Sequence, residues 1–265
     1  MIWVYPRNGE PRLASIKNVA QASDFYHADV EADLNALVEA PANPILDSLR
    51  CGDFIDAQGK HQVALYIATM LKRVPKSRER GASLIPKALG ETVTNLRAEL
   101  TALAAKRADG PGRLQTWLHN LEAIESKFRI EPPADVFDAL RIPWPSAEMV
   151  NVIRLMQWRI IPAEPPEMFI ISDNPAFFFE AFGLATEKAE LCLPLSPTRC
   201  LHCSHQRIVG GDLAHMSFDR ETVREMNRRI ASAATSIVMA HEKLLFPTKL
   251  LKKQNPYLSR INWTN

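Results

Sequence analysis

Phe169-Ile170-Ile171-Ser172-Asp173-Asn174-Pro175 is an apolar run that stops abruptly on a polar turn. Pro175 drives Asn174 toward extended or turn geometry, so a strand cannot continue through it. A second strand-like run ends downstream on Pro194-Leu195-Ser196-Pro197. The two read as neighbouring strands whose ends bring an acid, an amide and a hydroxyl to one edge. Phe177-Phe178-Phe179 supply either the apolar wall of a pocket or the core beneath the turn. Strands of this kind, following a long helical stretch, set the fold class.

Working outward, Arg159-Ile160-Ile161, Met168 to Ile171, Leu191 to Leu193 and Arg199 to Ile208 read as short strands. At the other end of the chain, Ile2-Trp3-Val4-Tyr5 enters a turn at Pro6-Arg7-Asn8-Gly9-Glu10, with a partner strand near Leu13 to Ile16. Between these regions the period is helical. Leu34, Leu37, Val38, Ile45 and Leu49 predict two helices broken around Pro41-Ala42-Asn43-Pro44. A helix over His61 to Lys72 is ended by Pro75, and helices follow over Glu91 to Arg107 and Leu114 to Ile130, parted by Asp109-Gly110-Pro111-Gly112. A loop at Pro132 and Pro133 leads to a shorter helix from Ala134. Pro143 and Pro145 precede another over Ser146 to Trp158, where Ser146 with Met149 falls short of a capping box.

Asp219 to Leu245 carries Val223, Met226, Ile230, Ala233, Ile237, Val238 and Ala240 and predicts a final helix. The expectation is one α+β domain over residues 1–265, a small mixed or antiparallel sheet with a large, mostly helical portion. The helical portion covers about 28–158, the strand-rich portion about 159–210 and the C-terminal helix about 219–245. Strands from one sheet then bracket the helices.

The 46% hydrophobic and 23% charged composition is that of a globular chain rather than a disordered one. A net charge of +2 gives no global argument for nucleic acid. Basic residues do cluster at Lys72-Arg73-Val74-Pro75-Lys76-Ser77-Arg78-Glu79-Arg80 and at Lys249 to Lys253. Each cluster reads as a solvated helix end or as a patch for phosphate. Met1 to Tyr5 is too short for the apolar region of a secretory signal, and no run reaches the roughly 18 to 20 apolar residues of a membrane span. The four cysteines read as reduced thiols. The expected setting is therefore the cytoplasm, with no membrane role.

Candidate chemistry centres on Asp173 and Asn174. An Asp at a strand end can ligate a metal, act as a base, or accept backbone N–H bonds in a turn. Glu39, beside Leu37 and Val38, is a carboxylate on a partly buried helix; it needs a partner, and Arg73 is the candidate. Cys200-x-x-Cys203 with His202 and His205 resembles half a zinc site, with Cys192 and His215 as further candidates. Strand alternation sets Cys200 and His202 on one face and Cys203 and His205 on the other, which favours buried thiols over zinc. The glycine patterns of nucleotide-binding loops, the nucleophile elbow and the two-His zinc helix are absent from the sequence, and ten glycines leave little room for a phosphate-cradling loop.

Read in order, several pieces resemble the bacterial family known as domain of unknown function 4238. They are Ile2-Trp3-Val4-Tyr5, Lys17-Asn18-Val19-Ala20 leading to Phe25-Tyr26, Glu39 in its Leu-Val-Glu context, Arg73-Val74-Pro75, Phe169 to Pro175, Pro194-Leu195-Ser196-Pro197, and Asn227. The family usually has Thr where this chain has Val74. Its members open with a His-x-x-Pro segment and a short helix before the first strand, whereas this chain starts inside that strand. The resemblance thus implies either a start placed too late or a shortened member, inactive if that His is catalytic. It supports the fold and the residue list, and implies no activity, cofactor or substrate.

Two functional expectations follow. One is a hydrolase-like pocket for a phosphate-bearing substrate such as nucleic acid. In it Asp173 serves as ligand or base, Asn174 orients it, Arg73 binds phosphate and Glu39 is a second acid, with a divalent metal to activate water. The other is a non-catalytic intracellular interaction protein in which the same residues are structural.

Overall fold

The computed structural model describes residues 1–16, 19, 28–107, 109–130, 144–179, 182–206, 214–215, 219–253 and 258. Lys17, Asn18, Ala20, Phe25 and Tyr26 of the family resemblance lie outside the described residues, as do Pro132, Pro133, the expected helix from Ala134, Pro143, and Ile208. The chain forms two compact units, one of Met1–Val74 with Pro143–Asn265, the other of Pro75–Ile142.

The fold is α+β, but its strands make two sheets where one was expected. The first sheet has the order β2-β1-β9-β4, built from β1 (Ile2–Pro6), β2 (Arg12–Ala14), β4 (Ile171–Ser172) and β9 (Ile237–Ala240), all antiparallel. The second has the order β5-β6-β7-β3-β8, built from β3 (Gln157–Pro162), β5 (Phe177–Phe178), β6 (Glu190–Ser196), β7 (Arg199–Ser204) and β8 (Ala214–His215). Only the β3–β8 pairing among these is parallel. Thus β4 and β6, read as neighbours, belong to different sheets. One backbone bond, Phe169 N–H to the Pro197 carbonyl at 2.8 Å, links their surroundings.

Register divides the second sheet into two faces. Trp158, Cys203, Leu191 and Phe178 form one cross-strand row, and Ile160, Leu201 and Leu193 another. This face packs on three helices: α2 (Ala40–Cys51), α3 (Ala57–Arg73) and α6 (Ala147–Leu155). Ala42, Leu46 and Leu49 of α2, and Val63, Ile67 and Leu71 of α3, supply the helical side of that core. Asp56 caps α3 by accepting from Gly59 N–H at 2.7 Å, and Ser146 caps α6 through Met149 N–H at 3.2 Å.

The expected break at Pro41–Pro44 is not there. Helix α1 (Ala28–Leu34) runs through a π-helical turn over Asn35–Glu39 directly into α2. A proline removes the N–H that its fourth-preceding carbonyl would receive. For Pro41 that carbonyl is Leu37, and the Gln62 side-chain amide of α3 donates to it and to the Val38 carbonyl, at 3.3 Å each. The helix continues because a neighbour replaces the missing donor.

Helix α4 (Pro75–Ala105) begins well before the expected Glu91 and, with α5 (Gly110–Ile130), makes up the second unit. No helix among the described residues is long and apolar enough to cross a membrane.

The final helix also departs from expectation. Helix α7 (Arg220–Ala233) stops at Ala233, and Ile237 and Val238 enter strand β9 instead of continuing a helix to Leu245. Arg7 enforces the stop. Its guanidinium donates to the carbonyls of Ala234 (2.8 Å), Thr235 (3.2 Å) and, on α8 (Pro247–Lys252), Leu251 (2.8 Å). Arg7 N–H adds a bond to the Ser236 carbonyl at 2.8 Å. Carbonyls drawn outward to a fork of donors are withdrawn from a helical ladder, and β9 then pairs between β1 and β4.

Arg7→Lys keeps the charge but cannot reach three carbonyls in fork geometry. We expect a loss of about 2 kcal/mol in chemical denaturation, with no loss of far-ultraviolet helix signal at low denaturant.

Candidate functional site

Asp173 follows β4 and faces the turn between α7 and β9. Its Oδ1 accepts from Thr235 N–H at 2.9 Å, and its Oδ2 from Ser236 N–H at 2.6 Å and Ile237 N–H at 3.3 Å. Arg7 holds the carbonyls of this turn and Asp173 its N–H groups. Beside it, the Ser172 hydroxyl donates to the Asn174 carbonyl at 2.7 Å and accepts from Asn174 N–H at 3.2 Å. The buried Asn174 amide donates to the Ala233 carbonyl at 3.4 Å, the last residue of α7.

Glu39 and Arg73 meet elsewhere, between the π-helical turn and the end of α3. Arg73 pairs with Glu39 and, at 2.7 Å, with Glu31. The Arg73 and Glu39 side chains remain 25% and 33% exposed, so the expected partnership forms as a partly hydrated pair. Partly hydrated pairs contribute about 1 kcal/mol or less, against about 3–5 kcal/mol for breaking a buried one. The four residues singled out from sequence thus form two local pairs, each bonded within its own neighbourhood. An open groove of about 440 Å³ between α2 and α3, with Pro44, Ile45, Phe54 and Gln62 in its lining, takes in none of the four.

Among the described residues, a group of buried polar side chains lies on the other face of the second sheet. Register aligns Arg159, His202, Cys192 and Phe177 in one row and Gln157, Ser204 and Glu190 in the next. Helix α7 covers this face through Val223 and Met226 and inserts Arg229. Arg229, with no exposed surface, donates to Glu190 Oε2 at 2.8 Å and lies 3.4 Å from Glu225 Oε1. Its guanidinium carbon is 4.9 Å from the Phe179 ring centre. His202 Nε2 is 3.3 Å from the same Glu190 oxygen. Arg159 donates to Ser204 Oγ at 3.3 Å and the Gln206 carbonyl at 3.2 Å.

Electrostatics follow from burial and pairing. Burial pushes the Glu190 carboxyl up, but the His202 hydrogen bond and the Arg229 charge outweigh it and hold it at about 2. Burial, helped by the Arg229 and Arg159 charges, drives His202 down to about 4 against the pull of Glu190. Burial also lifts the Cys192 thiol to about 11 despite Arg229, so it remains a protonated, unreactive thiol. Cys192, Cys200 and Cys203 are all buried thiols, with Cys203 in the core of the opposite sheet face. Among the described residues no group of His, Cys, Asp and Glu could hold a metal ion.

Sequence reasoning passed over Glu190, Arg229 and Arg7. The signal for Arg229 was present: it sits three residues after Met226 and four before Ala233, inside the apolar stripe of its helix. Asn227, named only through the resemblance, has a clear task. Its Oδ1 accepts from Ile170 N–H at 3.1 Å and its Nδ2 donates to the Met168 carbonyl at 2.8 Å, fastening the segment before β4 to α7.

A family model described as protein of unknown function (DUF4238) matches residues 1–244. The chain belongs to that family, and the match includes both pairs and the buried network. No curated protein and no solved structure matches the chain.

The network makes stability depend on acid. His202 is neutral when folded down to about pH 4, whereas an unfolded His takes up its proton near pH 6.5. The unfolded state therefore binds more protons in that window, and stability falls as pH drops from about 6.5 to 4. Glu190, depressed from 4.5 to about 2, adds a loss between those values. We expect His202→Gln to flatten the upper limb of a denaturation-versus-pH curve and leave the lower limb, which equilibrium unfolding across pH 3–7 will check.

Proposed function

We propose that this chain is a non-catalytic interaction protein of the bacterial cytoplasm, in which Asp173, Asn174, Glu39 and Arg73 hold its elements together. The carboxylate of Asp173 carries this reading, because it serves three backbone N–H groups of one turn. A general base needs access to a substrate proton, and a cation ligand needs an oxygen directed at the ion. Both oxygens of Asp173 are directed at the polypeptide. Arg73, with a carboxylate on each of two N–H groups, is neutralised before any phosphate arrives. The four cysteines are thiols without disulfides, which suits a reducing compartment.

The rival is a hydrolase-like pocket for a phosphate-bearing substrate such as nucleic acid, with a divalent cation at Asp173. It requires Asp173 to exchange its backbone partners for the cation, and Arg73 to exchange Glu31 and Glu39 for phosphate.

Thermal unfolding of the wild type and Asp173→Ala, each with EDTA, Mg²⁺, Mn²⁺ or Zn²⁺, separates the two. On the structural reading the variant loses about 2–3 kcal/mol whichever metal is present, and metal moves neither midpoint. A metal at about 100 times its Kd would stabilise the wild type by about 2.7 kcal/mol. A rise of that kind, absent from the variant, or metal-dependent cleavage of a phosphodiester that the variant lacks, overturns the proposal.

A further inference from the structure

We draw no further inference here: the strongest candidate, the open groove of about 440 Å³ between α2 and α3 lined in part by Pro44, Ile45, Phe54 and Gln62, is an apolar face for which nothing in the structure shows what covers it.

Discussion

The guanidinium of Arg229 has no exposed surface, and much of the larger unit is arranged around that fact. A buried cation is tolerated only where opposite charge and hydrogen-bond acceptors meet it. Glu190 comes from β6, Glu225 from the preceding turn of α7, and the Phe179 ring from the segment after β5. Glu190 in turn engages His202 of β7. One charge therefore fixes the seating of α7 on the second sheet. Breaking such a set by removing one member leaves the others buried and uncompensated, at a cost of about 3–5 kcal/mol.

From that seat, α7 connects the two sheets. Val223, Met226 and Ala233 pack with Ile161, Cys192 and Cys200 of the second sheet. Ile230 and Ala231 pack with Tyr5, Val238 and Ala240 of the first. Asn227 fastens the segment before β4, and the turn after the helix is held from both sides by Arg7 and Asp173. Membership of the family covers all of these residues. Asp173, Asn174 and Asn227 serve backbone groups, and Arg73 serves Glu31 and Glu39, so each of these polar positions has a partner within the chain. Among the described residues of the helical unit, by contrast, Val93, Ala104 and Leu121 are buried while Leu96, Leu103 and Ile124 are exposed.

Much of this was legible in the chain. The helical periods of α3, α5 and α6 and the strands β3, β6 and β7 were readable because one face of each is apolar. The pairing of Glu39 with Arg73 was readable from a carboxylate beside buried positions. The stretch at Ile237 and Val238 was misread because β-branched residues after a helical stripe fit either period, and the deciding interactions come from Arg7 and Asp173, far away in sequence. The run from Pro41 to Pro44 was misread as a break in part because the donor that compensates for Pro41, Gln62, lies on another helix.

The same contrast holds for the buried network. In Glu190-Leu191-Cys192-Leu193-Pro194-Leu195-Ser196, alternation by itself assigns one face to Leu and the other to polar or small residues, and a polar face reads as solvent-facing. The amino-acid sequence thus determined the α+β class, the family, the places of α3, α5, α6, β1, β3, β6 and β7, and which residues of each share a face. Only the tertiary structure decided that the polar face of β6 is roofed by α7, that its carboxylate meets Arg229, and that Asp173 is directed at a turn. Local periodicity records which residues share a face. What covers that face depends on contacts between residues tens to hundreds of positions apart, which no local pattern encodes.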